Sequence, residues 1–214
     1  NIHGTLMPVP FNHASLKLAF GEEKGERLYQ KLVATFGENK KVPIMELREK
    51  NDPELVEVAD YVFENVFLHY TMKQWGQTPD QIDPSITGRV PVFVGDDGAP
   101  FQGMPGEGYT KLFEHMLDHD LINVFVNVDA RDILKVTSGA VLVNEKPYSG
   151  EVIYTGPLDE LFGLDLGALP YRTLDMVFET LDVDKFQPVG TVNYTTSEDF
   201  TRITEFKNMT GQVV

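Results

Sequence analysis

The sequence predicts an α+β chain: a helical bundle over residues 1–89, then a mainly antiparallel β-sheet domain over residues 90–214 with one helix near 108–119. Three observations carry this. Apolar residues recur at helical spacing through residues 14–67, short β-branched runs separated by polar turns dominate from Leu121 onward, and breakers cluster between the two halves. With 214 residues and 42% hydrophobic content the chain can bury a real core.

Residues 1–12 are broken by Pro8 and Pro10 and read as an extended entry ending at Asn12, a helix N-cap by residue type. Two helices follow on either side of Gly21, over residues 14–20 and 22–36, the second with Leu28, Leu32, Val33 and Phe36 on one face. Residues 37–41 read as a polar connection and residues 43–48 as a short helix or turn. Asp52 and Pro53 form a helix start, cap and first position. The apolar series Leu55, Val58, Ala59, Val62, Phe63, Val66 and Phe67 then steps by three and four into Tyr70, Thr71, Lys73 and Trp75. Beyond Trp75, Gly76, Pro79, Pro84 and Gly88 forbid one continuous helix, and Arg89 lies at the far end of this segment.

Residues 90–93 read as a strand and 109–119 as a helix. Residues 122–128, 132–136, 140–143, 151–154, 176–180, 190–194 and 201–206 read as strands. The glycines of GMPGEG stand in the order G-x-x-G-x-G, a turn before a helix rather than a phosphate loop. His115 and His119 are four apart but lack the glutamate of H-E-x-x-H, so a solvated face is expected there and no metal.

Charge and composition narrow the function. Eighteen basic against 33 acidic residues leave a net charge of −15, which disfavours nucleic acid and anionic membrane as partners. An anionic ligand would need local positive groups, and Arg89 and Arg202 are candidates. With no cysteine there is no disulfide, thiolate metal site or cysteine nucleophile. No apolar run approaches the ~20 residues of a membrane helix, and the expectation is a cytoplasmic protein. A helix ending in Tyr70, Lys73 and Trp75, followed by a loop carrying arginine, suits a flat anionic ligand: aromatic faces take a base and guanidinium takes phosphate. The same pattern is also met by core aromatics and a surface loop.

Several segments resemble the UDP-galactopyranose mutase family, in the family's order and over most of the chain. YTMKQWGQTPDQIDPSITGRVPV is similar to the stretch around that family's mobile loop, and MPVPFN to the segment opening its second domain. GMPGEGYT, VIYTGPLDELF, LGALPYRTL and VNYTTSEDFTRITEFK resemble further family segments. The family pattern differs at Val66 and at Ala99–Pro100–Phe101, where aromatics are usual. It also has tyrosine at the position of Phe200, and one more residue between the positions of Asn193 and Arg202.

The resemblance implies an isomerase interconverting UDP-galactopyranose and UDP-galactofuranose on reduced FAD through a flavin–sugar adduct, in cell-wall polysaccharide biosynthesis. Arg89 and Arg202 would clamp the diphosphate, and Asn12, Phe67, Tyr70, Thr71, Trp75 and Asn193 would bind the rest of the UDP-sugar. The Thr155, Gly156 and Pro157 turn would approach the cofactor. No G-x-G-x-x-G follows a first strand. The implied reading is therefore a substrate-binding portion derived from a flavoprotein, without its Rossmann-like FAD half or C-terminal tail, holding no FAD and inactive by itself. A homodimer is an open oligomeric state. Two alternatives stand beside it: a non-catalytic nucleotide-sugar-binding module, and a flavin amine-oxidase-like relative.

Overall fold

In a computed structural model, residues 1–78, 81, 91–96, 101 and 103–212 are described. They form an α+β chain of two compact units, Asn1–Gly106 with Glu179–Val214, and Glu107–Phe178.

The first unit is built on helices. Asn12 caps α1 (His13–Phe20), its Oδ1 accepting from the Ser15 N–H at 3.0 Å. Gly21, at φ 83°, turns the chain into α2 (Glu22–Phe36). The two helices touch backbone to backbone: a Cβ on Gly25 would stand 2.6 Å from Lys17 Cα. Only glycine permits that approach.

A short strand β1 (Lys40–Val42) and helix α3 (Ile44–Glu49) lead to α4 (Pro53–Val62). Asp52 caps α4, Oδ1 accepting from Glu54 N at 2.9 Å, with Pro53 at the first helical position where a missing N–H costs nothing. Leu16, Leu28, Leu32, Ile44, Leu47, Leu55, Val58 and Val62 close over one another as the core. On its outside, Lys24–Glu57, Arg27–Glu54 and Lys31–Asp52 ion pairs of 2.6, 3.0 and 2.8 Å tie α2 to α4 and its cap.

After α4 the same helix continues as a π-helical segment, Phe63–Leu68, and then as α5 (His69–Trp75). The even helical period expected through residues 55–75 is thus interrupted. Val66 and Phe67 are buried nonetheless. The wider turn lets both face inward, which apolar spacing alone does not reveal.

Strand β2 (Val92–Val94) pairs antiparallel with β1, in the register Lys40↔Val94, Lys41↔Phe93 and Val42↔Val92. Two corrections follow. The polar connection expected at residues 37–41 contributes a strand, because backbone groups pair and only Val42 faces the core. The strand expected at 90–93 runs Val92–Val94, its residue 90 lying outside the described residues. Since β2 pairs within the helical part, the chain stays in the first unit past residue 89, to Gly106. The C-terminal hairpin of this unit is β6 (Thr191–Asn193) and β7 (Arg202–Thr204), followed by the helical turn at Lys207–Thr210.

The second unit contains α6 (Gly108–Leu117), a helical turn α7 (Ala130–Ile133), and a three-stranded antiparallel meander, β3 (Leu134–Val136), β4 (Val141–Val143) and β5 (Lys146–Tyr148). A second helical turn, α8 (Leu158–Leu161), follows. Among the described residues the strand pairs are antiparallel, as expected, but they form three small sheets rather than one. Of the expected strands, 122–128, 151–154 and 176–180 are not in ladders, and residues 130–133 are helical where a strand was expected from 132. Propensity alone does not make a strand; each ladder needs a neighbour to take its N–H and C=O groups.

Candidate functional site

Helix α5 presents the central sequence run. Its end is set by Gly76, left-handed at φ 59° and ψ 31°, whose N–H donates to Met72 O at 2.7 Å. Tyr70 and Lys73, three apart, share a helix face. Both reach the β6–β7 hairpin.

In that hairpin Asn193 and Arg202 are cross-strand partners. Arg202 Nε donates to Asn193 Oδ1 at 2.8 Å, and Arg202 Nη2 donates weakly to the Tyr70 hydroxyl oxygen at 3.4 Å. The rest of the guanidinium fork is exposed, and the Asn193 amide nitrogen remains as a donor. Thr71, next to Tyr70, is buried, and Trp75 is partly buried one turn on. An exposed guanidinium held by an amide and a phenol, beside an indole-bearing helix, can present planar paired donors to phosphate.

Lys73 behaves differently from the cationic ligand group suggested by sequence. Its Nζ donates to the carbonyls of Tyr194, Glu198 and Phe200 at 2.8, 3.0 and 3.1 Å. An ammonium has three N–H donors, so all are committed to the turn between β6 and β7. Burial lowers its pKa from the ordinary lysine value, while the Glu198 and Asp199 carboxylates act to raise it. No spacing rule reveals such a partner set, since the acceptors are main-chain oxygens more than a hundred residues away. The one available signal was the shared face of Tyr70 and Lys73.

The remaining expected residues are placed elsewhere. Asn12 is buried, with Oδ1 on Ser15 and Nδ2 donating to Asp96 O at 2.7 Å. Phe67 is buried with its ring 5.8 Å from that of Phe63. Arg89 lies outside the described residues. Thr155, Gly156 and Pro157 belong to the second unit. There a Cβ on Gly156 would stand 2.4 Å from the Tyr154 hydroxyl, so the neighbouring tyrosine already occupies the open face of the glycine. Residues 155–157 are exposed, and that phenol is the far end of a side chain that can rotate away.

The helix–hairpin cluster sits on an α+β frame. Comparison with known proteins gives the class more narrowly. The chain is 29% identical over 211 residues to a UDP-galactopyranose mutase of Mycoplasma pneumoniae, covering 96% of this chain and 53% of that protein. It is 30% identical over 211 residues to a probable UDP-galactopyranose mutase of Klebsiella pneumoniae, covering 96% and 51%. It is also 29% identical over 223 residues to a dTDP-fucopyranose mutase of Escherichia coli, covering 98% and 55%. These relatives are nucleotide-sugar mutases, and the chain spans about half their length. The family model described as UDP-galactopyranose mutase matches residues 65–213, and the chain belongs to that family.

Proposed function

We propose that this chain is the UDP-sugar-binding portion of a UDP-galactopyranose mutase. The observation that carries the reading is the Arg202–Asn193–Tyr70 contact, which joins two segments distant in sequence into one donor surface. Arg202, with Arg89 from the loop, would hold the two phosphates. Charge on a departing diphosphate grows as the sugar–phosphate bond breaks, so guanidinium donors stabilise the transition state more than the ground state. Asn193, Tyr70, Thr71 and Trp75 would orient the nucleotide.

Full turnover in this family reading requires reduced FAD, which supplies the group that bonds to the sugar. No chemical step is assigned to this chain: the residues named above would bind and orient the nucleotide-sugar. No helix among the described residues is long and apolar enough to cross a membrane.

The test is a UDP titration followed by the fluorescence of Trp75, the only tryptophan. Wild type should saturate, and Arg202→Ala should bind roughly tenfold to a hundredfold more weakly, the range for losing charge-assisted hydrogen bonds. Equal affinity of Arg202→Ala and wild type would sink the assignment.

A further inference from the structure

We propose that Lys73 is the positioning residue of the nucleotide site: its ammonium, tied to three carbonyls, holds the β6–β7 turn against α5 and so fixes where Asn193 and Arg202 stand. The proposal rests on the UDP-binding reading above for its ligand, and on geometry alone for the clamp.

The turn has other anchors, and they lie away from α5. Beyond the short β6–β7 ladder, the Tyr194 N–H donates to Thr201 O at 2.9 Å, and the Tyr194 and Phe200 rings meet edge to face at 4.8 Å. The Asn1 ammonium donates to Asn193 O, and the Thr195 N–H and hydroxyl donate to Asn1 O at 3.4 and 3.2 Å. Residues 194–200 carry their carbonyls at 194, 198 and 200 toward one point, and Lys73 Nζ sits there. Converging carbonyl dipoles need a cation, and a cation half-removed from water needs acceptors; each group satisfies the other. Asn193 and Arg202 are the residues immediately outside this turn, one on each strand. Tyr70, one turn before Lys73, meets Arg202 at 3.4 Å. The lysine therefore fixes the height of α5 against the hairpin, and with it the distance over which Tyr70 can reach the guanidinium. Lys73 has no N–H left for a phosphate, so its contribution to binding is geometric.

Lysine and arginine separate position from charge. Three N–H groups on a tetrahedral nitrogen can point at three converging carbonyls, whereas the flat guanidinium fork cannot. Lys73→Met and Lys73→Arg, with wild type, are titrated with UDP by Trp75 fluorescence, and amide hydrogen exchange is measured without ligand. Both variants should bind UDP about tenfold more weakly. Both should exchange faster over residues 194–202, with no change in α2 or α4. Wild-type affinity in Lys73→Arg would show that charge alone is needed and overturn the positioning role. Unchanged exchange at 194–202 in Lys73→Met would overturn the clamp itself. Should wild type bind no UDP, the ligand reading falls, with it the assignment of Lys73 to a nucleotide site, and the exchange data still decide whether the lysine holds the hairpin.

Discussion

The two units of this chain use similar amino acids to opposite effect. In the first, Leu16, Leu28, Leu32, Ile44 and Leu47 are completely buried. In the second, Leu134 is the one buried hydrophobic residue among those described, while Phe125, Ile153 and Leu166 are 80%, 82% and 103% exposed. The difference lies in the partner each element requires. A helix satisfies its own backbone and needs only one apolar face covered, which α1 to α4 do for one another. A strand needs a neighbour for its hydrogen bonds as well as a cover for its face. The apolar runs at 122–128, 151–154 and 176–180 have neither here. Strand-like sequence without a strand is thus a statement about missing neighbours.

The sharpest test of the contrast is a pair of leucine truncations. Leu32→Ala, at a fully buried position, should cost about 2–5 kcal/mol of unfolding free energy in urea, through lost transfer energy and a cavity. Leu166→Ala should change stability by less than about 0.5 kcal/mol. Comparable losses would show that the second unit buries Leu166 in solution and would break the comparison.

A smaller effect is expected at the cap of the first helix. Asn12→Ala removes both the Ser15 contact and the donor to Asp96 O, and should destabilise the first unit by about 1–2 kcal/mol. Thermal unfolding measures it, and a neutral result would mean that the buried amide is not what starts α1.

The smallest effect is a titration in the second unit. The Tyr171 hydroxyl donates to Asp159 Oδ1 at 2.6 Å, and that hydrogen bond, with burial as a lesser cause, pushes its pKa up to about 12. The folded state favours the protonated phenol, so any stability it adds is fully present below the ordinary tyrosine pKa, roughly 10. It is lost as pH rises through about 12. Burial also raises the pKa of the Tyr29 and Tyr61 hydroxyls, so the Tyr171 contribution to tyrosinate absorbance is read as the difference between wild type and Asp159→Asn. In that variant one late-titrating group should return toward the ordinary range. An unchanged titration in Asp159→Asn would mean that this local contact does not form.

Much of the helical unit was legible because its signals are local. Asn12, and Asp52 with Pro53, announce helix starts, and the leucines of α2 repeat at the period of one turn. Strand β1 was not legible, since Lys40 and Lys41 are exposed and a single valine faces inward. The π-helical segment escaped for a related reason: apolar steps of three and four suit either winding. For the candidate site, charge and composition pointed to aromatics near cations and to Arg89 and Arg202 as anion-binding candidates. Resemblance named Asn193 and Arg202, which the hairpin register sets opposite each other. The carbonyl partners of Lys73 could be found only in three dimensions, because a main-chain oxygen carries no sequence letter.

The π-helical segment Phe63–Leu68 also sets the angular phase of everything after it. A π turn holds roughly one residue more than an α turn, and each residue of an α-helix advances about 100° around the axis. Winding the same residues at the ordinary pitch, with none removed, would add one residue's rotation before α5. Tyr70 and Lys73 would then swing by about that angle, away from Arg202 and the 194–200 carbonyls, while α4 kept its seat in the core. The segment works as an angular offset between packing and presentation. A helix locked by Leu55, Val58 and Val62 at one end is thereby free to aim different residues at the other.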